Sequence, residues 1–147
     1  MKKHITLSGD DLRLCEAAID AAQFAYAPYS DFFVGAAVMT EDGNVYTGCN
    51  IENASYPAGI CAERVAVSKA VSEGETELAV IAIAGGKFGD IGEVCPPCGI
   101  CRQALSEFCA PEKLRVLLAG SSDGELFADE YTLAELLPLY FSKESME

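Results

Sequence analysis

The feature that most constrains this chain is a set of zinc-binding side chains split between two distant segments. Cys61 and Glu63 stand in one segment, and Cys98 and Cys101 stand in another, farther along the chain. Zinc binds thiolates, and a catalytic zinc keeps three protein ligands and one open position for water. A fold that uses these ligands must bring the two segments together. The sequence therefore predicts one zinc ion per chain, held by Cys61, Cys98 and Cys101.

Glu63 is the predicted catalytic residue. It lies two residues after Cys61, close enough to reach a zinc-bound water without being a ligand itself. Zinc lowers the pKa of its bound water toward roughly 7, and a neighbouring carboxylate can then take the proton and deliver it to a substrate. Positioned acid–base catalysis raises a rate roughly a hundred- to ten-thousand-fold. The pairing indicates a hydrolytic enzyme.

Arg64 is placed to balance the negative charge of the predicted site, because it follows the glutamate directly. Both ligand segments fall at predicted helix starts, where exposed N–H groups and the helix dipole stabilise thiolates. Three thiolates carry more negative charge than one Zn²⁺ neutralises, which makes the metal a weaker Lewis acid. Our hypothesis is that the Arg64 guanidinium donates to one or two of the thiolates and restores acidity.

A second interpretation of the cysteines is a closed structural site in a non-catalytic, zinc-stapled interaction protein. Such a site would use four cysteines: Cys61, Cys95, Cys98 and Cys101. A structural site has no use for Glu63, and the stiff Pro96-Pro97 pair separates Cys95 from the helix start. The three-ligand interpretation is therefore favoured. The remaining cysteines have apolar neighbours and are predicted core residues: Cys15, Cys49 and Cys109.

Composition narrows the class of partner. The chain has 147 residues, half of them hydrophobic, which fits a single domain, 1–147, with its own core. The net charge is −13 and phosphate contacts need Lys and Arg, so we expect no nucleic-acid partner and favour an uncharged small molecule. Neither an export signal after the opening Met-Lys-Lys-His nor a membrane span is expected. Seven cysteines then favour metal binding or catalysis in the cytoplasm over disulfides.

Hydrophobic spacing predicts helices and strands that alternate after an opening hairpin. The predicted helices cover 12–26, with a capping box from Ser8 to Asp11 and an end at Pro28, then 61–73 before Gly74, a short helix from Cys98 to before Pro111, and 132–137. The predicted strands cover 34–40, 45–49, 78–84 and 114–119, with a glycine-rich loop at 85–92 and a short edge strand at 125–128. His4 is predicted to be solvated. This order predicts an α/β fold, with helices on the faces of a mixed sheet.

Longer motifs surround the predicted zinc ligands. They are 50–56 (NIENASY), 61–64 (CAER) and 97–103 (PCGICRQ), accompanied by 26–30 (YAPYS), by Phe32, Val34 and Gly35, and by 135–138 (ELLP). Over nearly the whole chain, these motifs resemble cytidine deaminases of the small, homotetrameric, zinc-dependent type. The zinc motifs alone indicate the deaminase superfamily, and the Asn-x-Glu element narrows it to nucleosides. The resemblance implies a three-layer α/β/α cytidine deaminase-like fold with a mixed central sheet.

The resemblance also implies substrate contacts. Asn50 and Glu52 would hydrogen-bond the ribose hydroxyls, since an amide and a carboxylate read a diol well. The alternative is that Asn50 caps a turn and Glu52 is solvated. Phe32 would lie against the pyrimidine ring, or else belong to the strand core. Backbone N–H groups of Ala62 and Cys98 would hold the base and the departing amine.

In the family that the motifs resemble, four subunits complete one another's pockets. Tyr56 and Phe141 match positions that approach a neighbouring site, so we expect a homotetramer. Gln103 is expected to support the zinc ligands from behind. The loop 56–60 has no assigned role beyond its approach to the site, and Cys95 stands where many relatives have no cysteine.

The leading prediction is hydrolytic deamination of cytidine and 2′-deoxycytidine to uridine and 2′-deoxyuridine, in pyrimidine salvage. Blasticidin S deaminase shares the zinc motifs and is the nearest enzymatic alternative, but the pair Asn50 and Glu52 favours a ribose over that antibiotic's sugar. A polynucleotide-editing deaminase would need a basic or aromatic platform, and this chain is acidic. The non-catalytic zinc protein is the alternative from another class.

Overall fold

Six strands form one sheet in this computed structural model, which describes residues 3–147. In chain order the strands are β1 (Lys3–Thr6), β2 (Phe32–Thr40), β3 (Val45–Cys49), β4 (Leu78–Lys87), β5 (Arg115–Ser122) and β6 (Glu125–Thr132). Across the sheet the order is β1-β6-β5-β4-β2-β3. Among these described strands only β4 and β5 pair in parallel. The predicted mixed sheet is confirmed. Met1 and Lys2, where the chain's charged opening begins, lie outside the described residues.

The helices lie on both faces of this sheet. They are α1 (Gly9–Ala22), α2 (Ala62–Ser72), α3 (Gly99–Ser106) and α4 (Leu133–Leu136), with short 3₁₀ turns at Tyr56–Ala58 and Lys143–Met146. Gly74 follows α2 with φ +88°, as its predicted role in ending that helix requires. Among the described residues, no helix is both long and apolar enough to cross a membrane.

Alternating side chains of the central strands separate two apolar layers. On β4, Val80, Ala82 and Ala84 pack with Leu14 and Ala18 of α1. Because successive strand residues point to opposite faces, the side chains between them pack with the other three helices. This second layer includes Ile81, Ile83, Ala66, Leu105 and Leu133. The arrangement is the expected α/β/α sandwich.

Two details of α1 differ from the prediction. Ser8 and Asp11, both described, form no capping box, because the Ser8 side chain makes no cap hydrogen bond. The helix also ends at Ala22, before Pro28 is reached. The backbone of Tyr26 instead exchanges hydrogen bonds with the segment after β3, donating to the carbonyl of Asn50 and accepting from the N–H of Glu52, at 3.0 and 2.8 Å. Pairing with this neighbouring segment outweighs the helical spacing.

β4 extends into the predicted glycine-rich loop. Gly85 and Gly86 pair with Val34 and Phe33 of β2, so they belong to the sheet. A Cβ on Gly86 would lie 1.6 Å from the carbonyl oxygen of Asp90. The glycine is therefore required by a close approach of backbone, which sequence alone does not distinguish from a loop.

The predicted edge strand is longer than expected and is not at the edge. β6 runs to Thr132 and pairs on its outer side with β1, a strand that the sequence analysis missed. His4 of β1 is exposed, as predicted, with 65% of its side-chain surface in solvent. Its Nδ1 nevertheless lies 3.0 Å from Asp129 Oδ1, and its ring is tilted against that of Phe127, with the ring centroids 4.7 Å apart. Of the predicted core cysteines, Cys15 is fully buried and the other two, Cys49 and Cys109, are half-buried.

Candidate active site and metal centre

The two predicted ligand segments meet at the starts of two helices. Cys61 is the N-terminal capping residue, directly before α2, and Cys98 holds the same position before α3. Cys101 lies in the first turn of α3 and is fully buried. The backbone N–H groups of a first helical turn have no partner within the helix and favour negative charge. The local sequence therefore places three thiols where thiolates are stabilised.

The geometry of these thiols suits zinc. The three sulfurs all lie within 4.8 Å of one another, and Cys61 Sγ lies 3.8 Å from Cys98 Sγ. Two sulfurs that are each about 2.3 Å from a tetrahedral zinc would lie about 3.8 Å apart. Three ligands also leave the open fourth position that catalysis requires. The donor set and its spacing fit a catalytic zinc ion.

Cys95 lies outside this group in the described part of the chain. Its sulfur packs close to β4, where a Cβ on Gly85 would lie 3.2 Å from it. Burial, together with the nearby charges of Glu63 and Cys61, raises the pKa of the Cys95 thiol to about 11. The structure therefore favours three ligands over the four-cysteine alternative.

Gly48 of β3 sets how closely α2 approaches the sheet. A Cβ at this position would lie 2.6 Å from the carbonyl oxygen of Ala62 and 2.6 Å from the backbone nitrogen of Ala66. Both contacts are with backbone, so no side-chain rotation can relieve them. The absence of a side chain on Gly48 thus fixes the depth of the helix that carries Cys61 and Glu63.

Glu63 is buried, with 4% of its surface exposed. Burial raises the pKa of its carboxyl group above the usual range. A buried carboxylate in the first turn of α2, two residues from a thiol of the cysteine cluster, is placed to carry protons.

Arg64 contacts the metal cluster directly. Its Nη2 donates to Cys61 Sγ at 3.3 Å. Hydrogen bonds from Cys101 and from Arg64 lower the pKa of Cys61 to about 5, while the bond to Cys61 raises the pKa of Cys101. Arg64 Nε is buried and has no partner among the described residues. The contact supports the hypothesis that this cation offsets thiolate charge.

A cavity of about 510 Å³ lies beside Cys61. This volume suits a small organic molecule. Of the sequence-predicted site residues, it brings together Asn50, Glu52, Tyr56, Cys61 and Arg64. The sequence analysis gave no role to two further residues that line it, Tyr29 and Ser30. Their only signal in the sequence was the YAPYS motif.

The polar side chains of the cavity are held by backbone groups. Asn50 Oδ1 accepts from the N–H of Val34 and Nδ2 donates to the carbonyl of Phe32, both at 2.9 Å. Glu52 Oε1 accepts from the N–H groups of Tyr29 and Ser30, at 2.9 and 3.2 Å. The Ser30 hydroxyl also donates to Glu52, and these hydrogen bonds lower the pKa of its carboxyl group. The Asn50 side chain therefore fastens the segment after β3 to β2 rather than capping a turn, and Glu52 has defined partners.

Seven predicted site residues do not line this cavity: Ala62, Glu63, Cys98 and Cys101 at the two helix starts, and Phe32, Gln103 and Phe141 elsewhere. Phe32 begins β2 with 38% of its surface exposed and lines a second cavity of about 390 Å³, so it is not strand core. Phe141 is also exposed. Gln103 Nε2 donates to the carbonyl of Phe141 at 2.8 Å, so Gln103 tethers the C-terminal segment.

Arg102 is a further residue to which the sequence analysis gave no role, although it stands in the PCGICRQ motif. Its Nε donates to the carbonyl of Pro97 at 2.8 Å, and its Nη1 donates to the carbonyl of Leu136 at 2.6 Å. The side chain therefore joins the loop before α3 to the end of α4. Only the tertiary structure brings these carbonyls within its reach.

Comparison with known proteins identifies the family. Residues 8–117, which contain all three cysteines of the cluster, match the family model described as the cytidine and deoxycytidylate deaminase zinc-binding region. The chain belongs to this deaminase family. The match confirms the resemblance, and it agrees with the zinc dependence that the three cysteines predicted.

Individual relatives agree with this family over most of their length. A cytidine deaminase of Halalkalibacterium halodurans is 45% identical over 93% of this chain and 98% of that protein. A cytidine deaminase of Sporosarcina psychrophila is 44% identical over 86% of this chain and 87% of that protein. Neither match favours the blasticidin S deaminase or structural-zinc alternatives.

Solved structures of the family share the fold. The crystal structure of cytidine deaminase from Burkholderia pseudomallei superimposes with a TM-score of 0.78 at 41% identity, and the match covers 90% of this chain and 100% of that one. The cytidine deaminase of Mycobacterium tuberculosis gives a TM-score of 0.75 at 38% identity, over 92% of this chain and 99% of that one. The expected cytidine deaminase-like fold is confirmed.

Proposed function

We propose that this chain is a zinc-dependent cytidine deaminase, which hydrolyses cytidine and 2′-deoxycytidine to uridine and 2′-deoxyuridine and releases ammonia. The observation that carries the proposal is the three-cysteine cluster, with the buried carboxylate of Glu63 two residues from Cys61, in a chain of this family. A structural zinc site has no need of that carboxylate.

The proposed mechanism assigns proton transfer to Glu63. Zinc held by Cys61, Cys98 and Cys101 would supply a Lewis acid that makes water more acidic. Glu63 accepts a proton from the attacking water and delivers it to the ring nitrogen of the pyrimidine. It then takes the proton of the hydroxyl that the water has left on ring carbon C4 and passes it to the amine, so that the C4 carbonyl forms and ammonia leaves. Its burial suits both steps, because a raised pKa brings a carboxyl group closer to the operating pH of an acid–base catalyst.

The substrate contacts that we propose divide between sugar and base. Asn50 and Glu52 line the cavity and bind the ribose hydroxyls. Phe32 lines the second cavity, and its carbonyl accepts from Asn50, so it is tied to a sugar-binding residue; we assign its ring to the pyrimidine. Backbone N–H groups of Ala62 and Cys98, at the starts of α2 and α3, hold the base and the leaving amine. Gln103 supports the site by fastening the C-terminal segment to α3.

The proposed working form is a homotetramer of single-domain chains that acts in pyrimidine salvage in the cytoplasm. Its support is a set of exposed aromatic side chains, which includes Tyr56 with 76% and Phe141 with 59% of its surface exposed. Aromatic rings left in solvent by one chain are typical of surfaces that another chain covers. Phe141 would then approach the pocket of a neighbouring subunit, and so would Tyr56, which also lines the cavity of its own chain.

The first experiment compares the wild type with Glu63→Gln. Ultraviolet absorbance follows the turnover of cytidine and deoxycytidine, and metal analysis gives zinc per chain. We expect the variant to retain about one zinc while its turnover falls at least a hundred-fold, since an amide cannot carry the proton. Zinc in both proteins without turnover of either nucleoside by the wild type would refute the nucleoside assignment.

A further inference from the structure

The carboxylate of Glu52 is clasped by the segment that precedes β2. Oε1 accepts from the backbone N–H groups of Tyr29 and Ser30, and Oε2 accepts from the Ser30 hydroxyl. An ionised carboxylate offers about four lone-pair sites. Donors within the described chain therefore occupy three of them, and the remaining one belongs to Oε2. The oxygen held by Ser30 is thus the oxygen left to receive a ligand hydroxyl.

The hydroxyl of Ser30 is itself oriented. Its oxygen accepts from the backbone N–H of Phe32 at 3.1 Å. A hydroxyl that accepts one backbone hydrogen bond has its own hydrogen left to donate, and that hydrogen points to Glu52. Through this pair of hydrogen bonds, Ser30 fixes the Glu52 carboxylate relative to the first residue of β2.

The turn that carries Ser30 is fastened by the end of β4. Lys87 Nζ donates to the carbonyl of Ser30 at 2.8 Å, and the N–H of Phe88 donates to the carbonyl of Asp31 at 2.7 Å. Asp31 and Phe88 both have φ +55°, in the left-handed region that residues other than glycine rarely adopt. Such conformations persist where surrounding contacts determine them, and here those contacts lie beside the cavity.

We propose that Ser30 is a positioning residue, which holds Glu52 so that Oε2 receives a hydroxyl of the substrate's sugar. The inference rests on the proposed function and deepens it, because it assigns sugar recognition to a three-part chain of Lys87, Ser30 and Glu52. Without the Ser30 hydroxyl, Oε1 keeps its two backbone donors, but Oε2 loses the contact that sets the plane of the carboxylate. Binding of a sugar hydroxyl then weakens, while the zinc site and the proton carrier are unchanged.

The test compares Ser30→Ala with Ser72→Ala, a matched control. Ser72 also uses its hydroxyl in one hydrogen bond, to the carbonyl of Lys69, but it stands at the far end of α2 from the zinc ligands. Two competitive inhibitors separate the contact with the sugar from the contacts with the base. They are uridine and 2′,3′-dideoxyuridine, which lacks the 2′ and 3′ hydroxyls. The readouts are kcat and KM for cytidine, the two inhibition constants, zinc per chain and thermal unfolding.

For Ser30→Ala we expect roughly tenfold increases in KM for cytidine and in the inhibition constant of uridine, the usual size of a lost charge-assisted hydrogen bond. The inhibition constant of dideoxyuridine and kcat should each stay within about threefold of the wild type. Ser30→Thr, which keeps a hydroxyl, should restore most of the affinity for uridine. Ser72→Ala should match the wild type throughout.

Lys87→Met provides a second variant if Ser30→Ala fails to fold. It removes the donor to the Ser30 carbonyl, so we expect a smaller effect. The KM for cytidine and the inhibition constant of uridine should each rise roughly threefold, and that of dideoxyuridine should not change. If the binding of uridine and of dideoxyuridine weakened equally, or if kcat alone changed, the positioning role would be overturned while the proposed function stands. A wild type that neither deaminates cytidine nor binds uridine would overturn both proposals together.

Discussion

At the scale of single residues, the negative charge of the three cysteine thiolates must be balanced for the zinc site to work. Three thiols lie within 4.8 Å of one another, and Arg64 is the cation that donates to one of them. Since thiolates would over-neutralise a Zn²⁺ ion, removing this donor should leave a weaker Lewis acid in an otherwise intact site. Arg64 therefore offers a test of charge rather than of folding.

We predict that Arg64→Ala lowers kcat for cytidine roughly ten- to hundred-fold while about one zinc per chain remains. The kcat of Arg64→Lys should fall between those of the wild type and Arg64→Ala, because an ammonium keeps the charge but not the planar donor. Arg13→Ala is the control, since Arg13 pairs with Asp10 on the exposed face of α1. Steady-state kinetics and metal analysis decide the matter, and unchanged turnover in Arg64→Ala would show that the charge role is wrong.

At the scale of elements, the site depends on how deeply α2 lies against the sheet. This helix carries Glu63 and Arg64 and is capped by Cys61, and Gly48 of β3 is the residue that permits its approach. The sequence analysis located the helix start but gave Gly48 no role, because a glycine in a strand does not reveal which backbone approaches it. The close contact with Ala62 and Ala66 is a tertiary fact.

We predict that Gly48→Ala destabilises the protein by about 1–3 kcal/mol, as overpacking against backbone does. Displacement of α2 should also weaken zinc binding, because one ligand moves while the two on α3 stay. Gly92→Ala is the matched control, since a Cβ there meets only Asp90 Oδ1, at 3.8 Å, and its φ is not positive. Urea unfolding and zinc per chain are the measurements. If Gly48→Ala were as stable as the wild type, α2 could move away from the sheet at no cost, and the packing role of Gly48 would be wrong.

At the scale of the whole molecule, the C-terminal segment connects the site with the proposed assembly. Gln103 of α3 holds the carbonyl of Phe141, while the aromatic ring of Phe141 is left exposed. This arrangement fixes the backbone and offers the ring to another chain. Substrate affinity and assembly should then change together when the segment is removed.

We predict that a chain truncated before Phe141 has a KM for cytidine raised roughly tenfold, as loss of a buried aromatic contact would give. Phe141→Ala keeps the carbonyl that accepts from Gln103, so it isolates the ring from the tether. A similar KM in both variants would assign the effect to the ring. KM and the sedimentation of each variant are the measurements, and an unchanged KM in the truncated chain would contradict the shared pocket.

Local signals explain which predictions succeeded. The helices that start at Cys61 and Cys98, the hairpin of β2 and β3, and Gly74 at the end of α2 follow from neighbouring residues, and the structure has them. Predictions failed where a segment distant in sequence determines whether an element forms or where it ends. β1 forms because β6 lies beside it, β4 continues through its glycines because β2 and Asp90 approach them, and α1 ends early because Tyr26 pairs with the segment after β3.

The sequence by itself determined the chemistry: three thiols and a carboxylate in motifs specific enough to name a family. Side-chain chemistry is a property of residue types, and their spacing along helix starts is a local matter. Only the tertiary structure decided how that chemistry is held. The hydroxyl of Ser30 bonds Glu52, the guanidinium of Arg102 bonds both the loop before α3 and the end of α4, and the bare α-carbon of Gly48 lies under α2. Each of these contacts joins segments that are far apart in sequence. Such contacts arise from packing, which no single segment specifies.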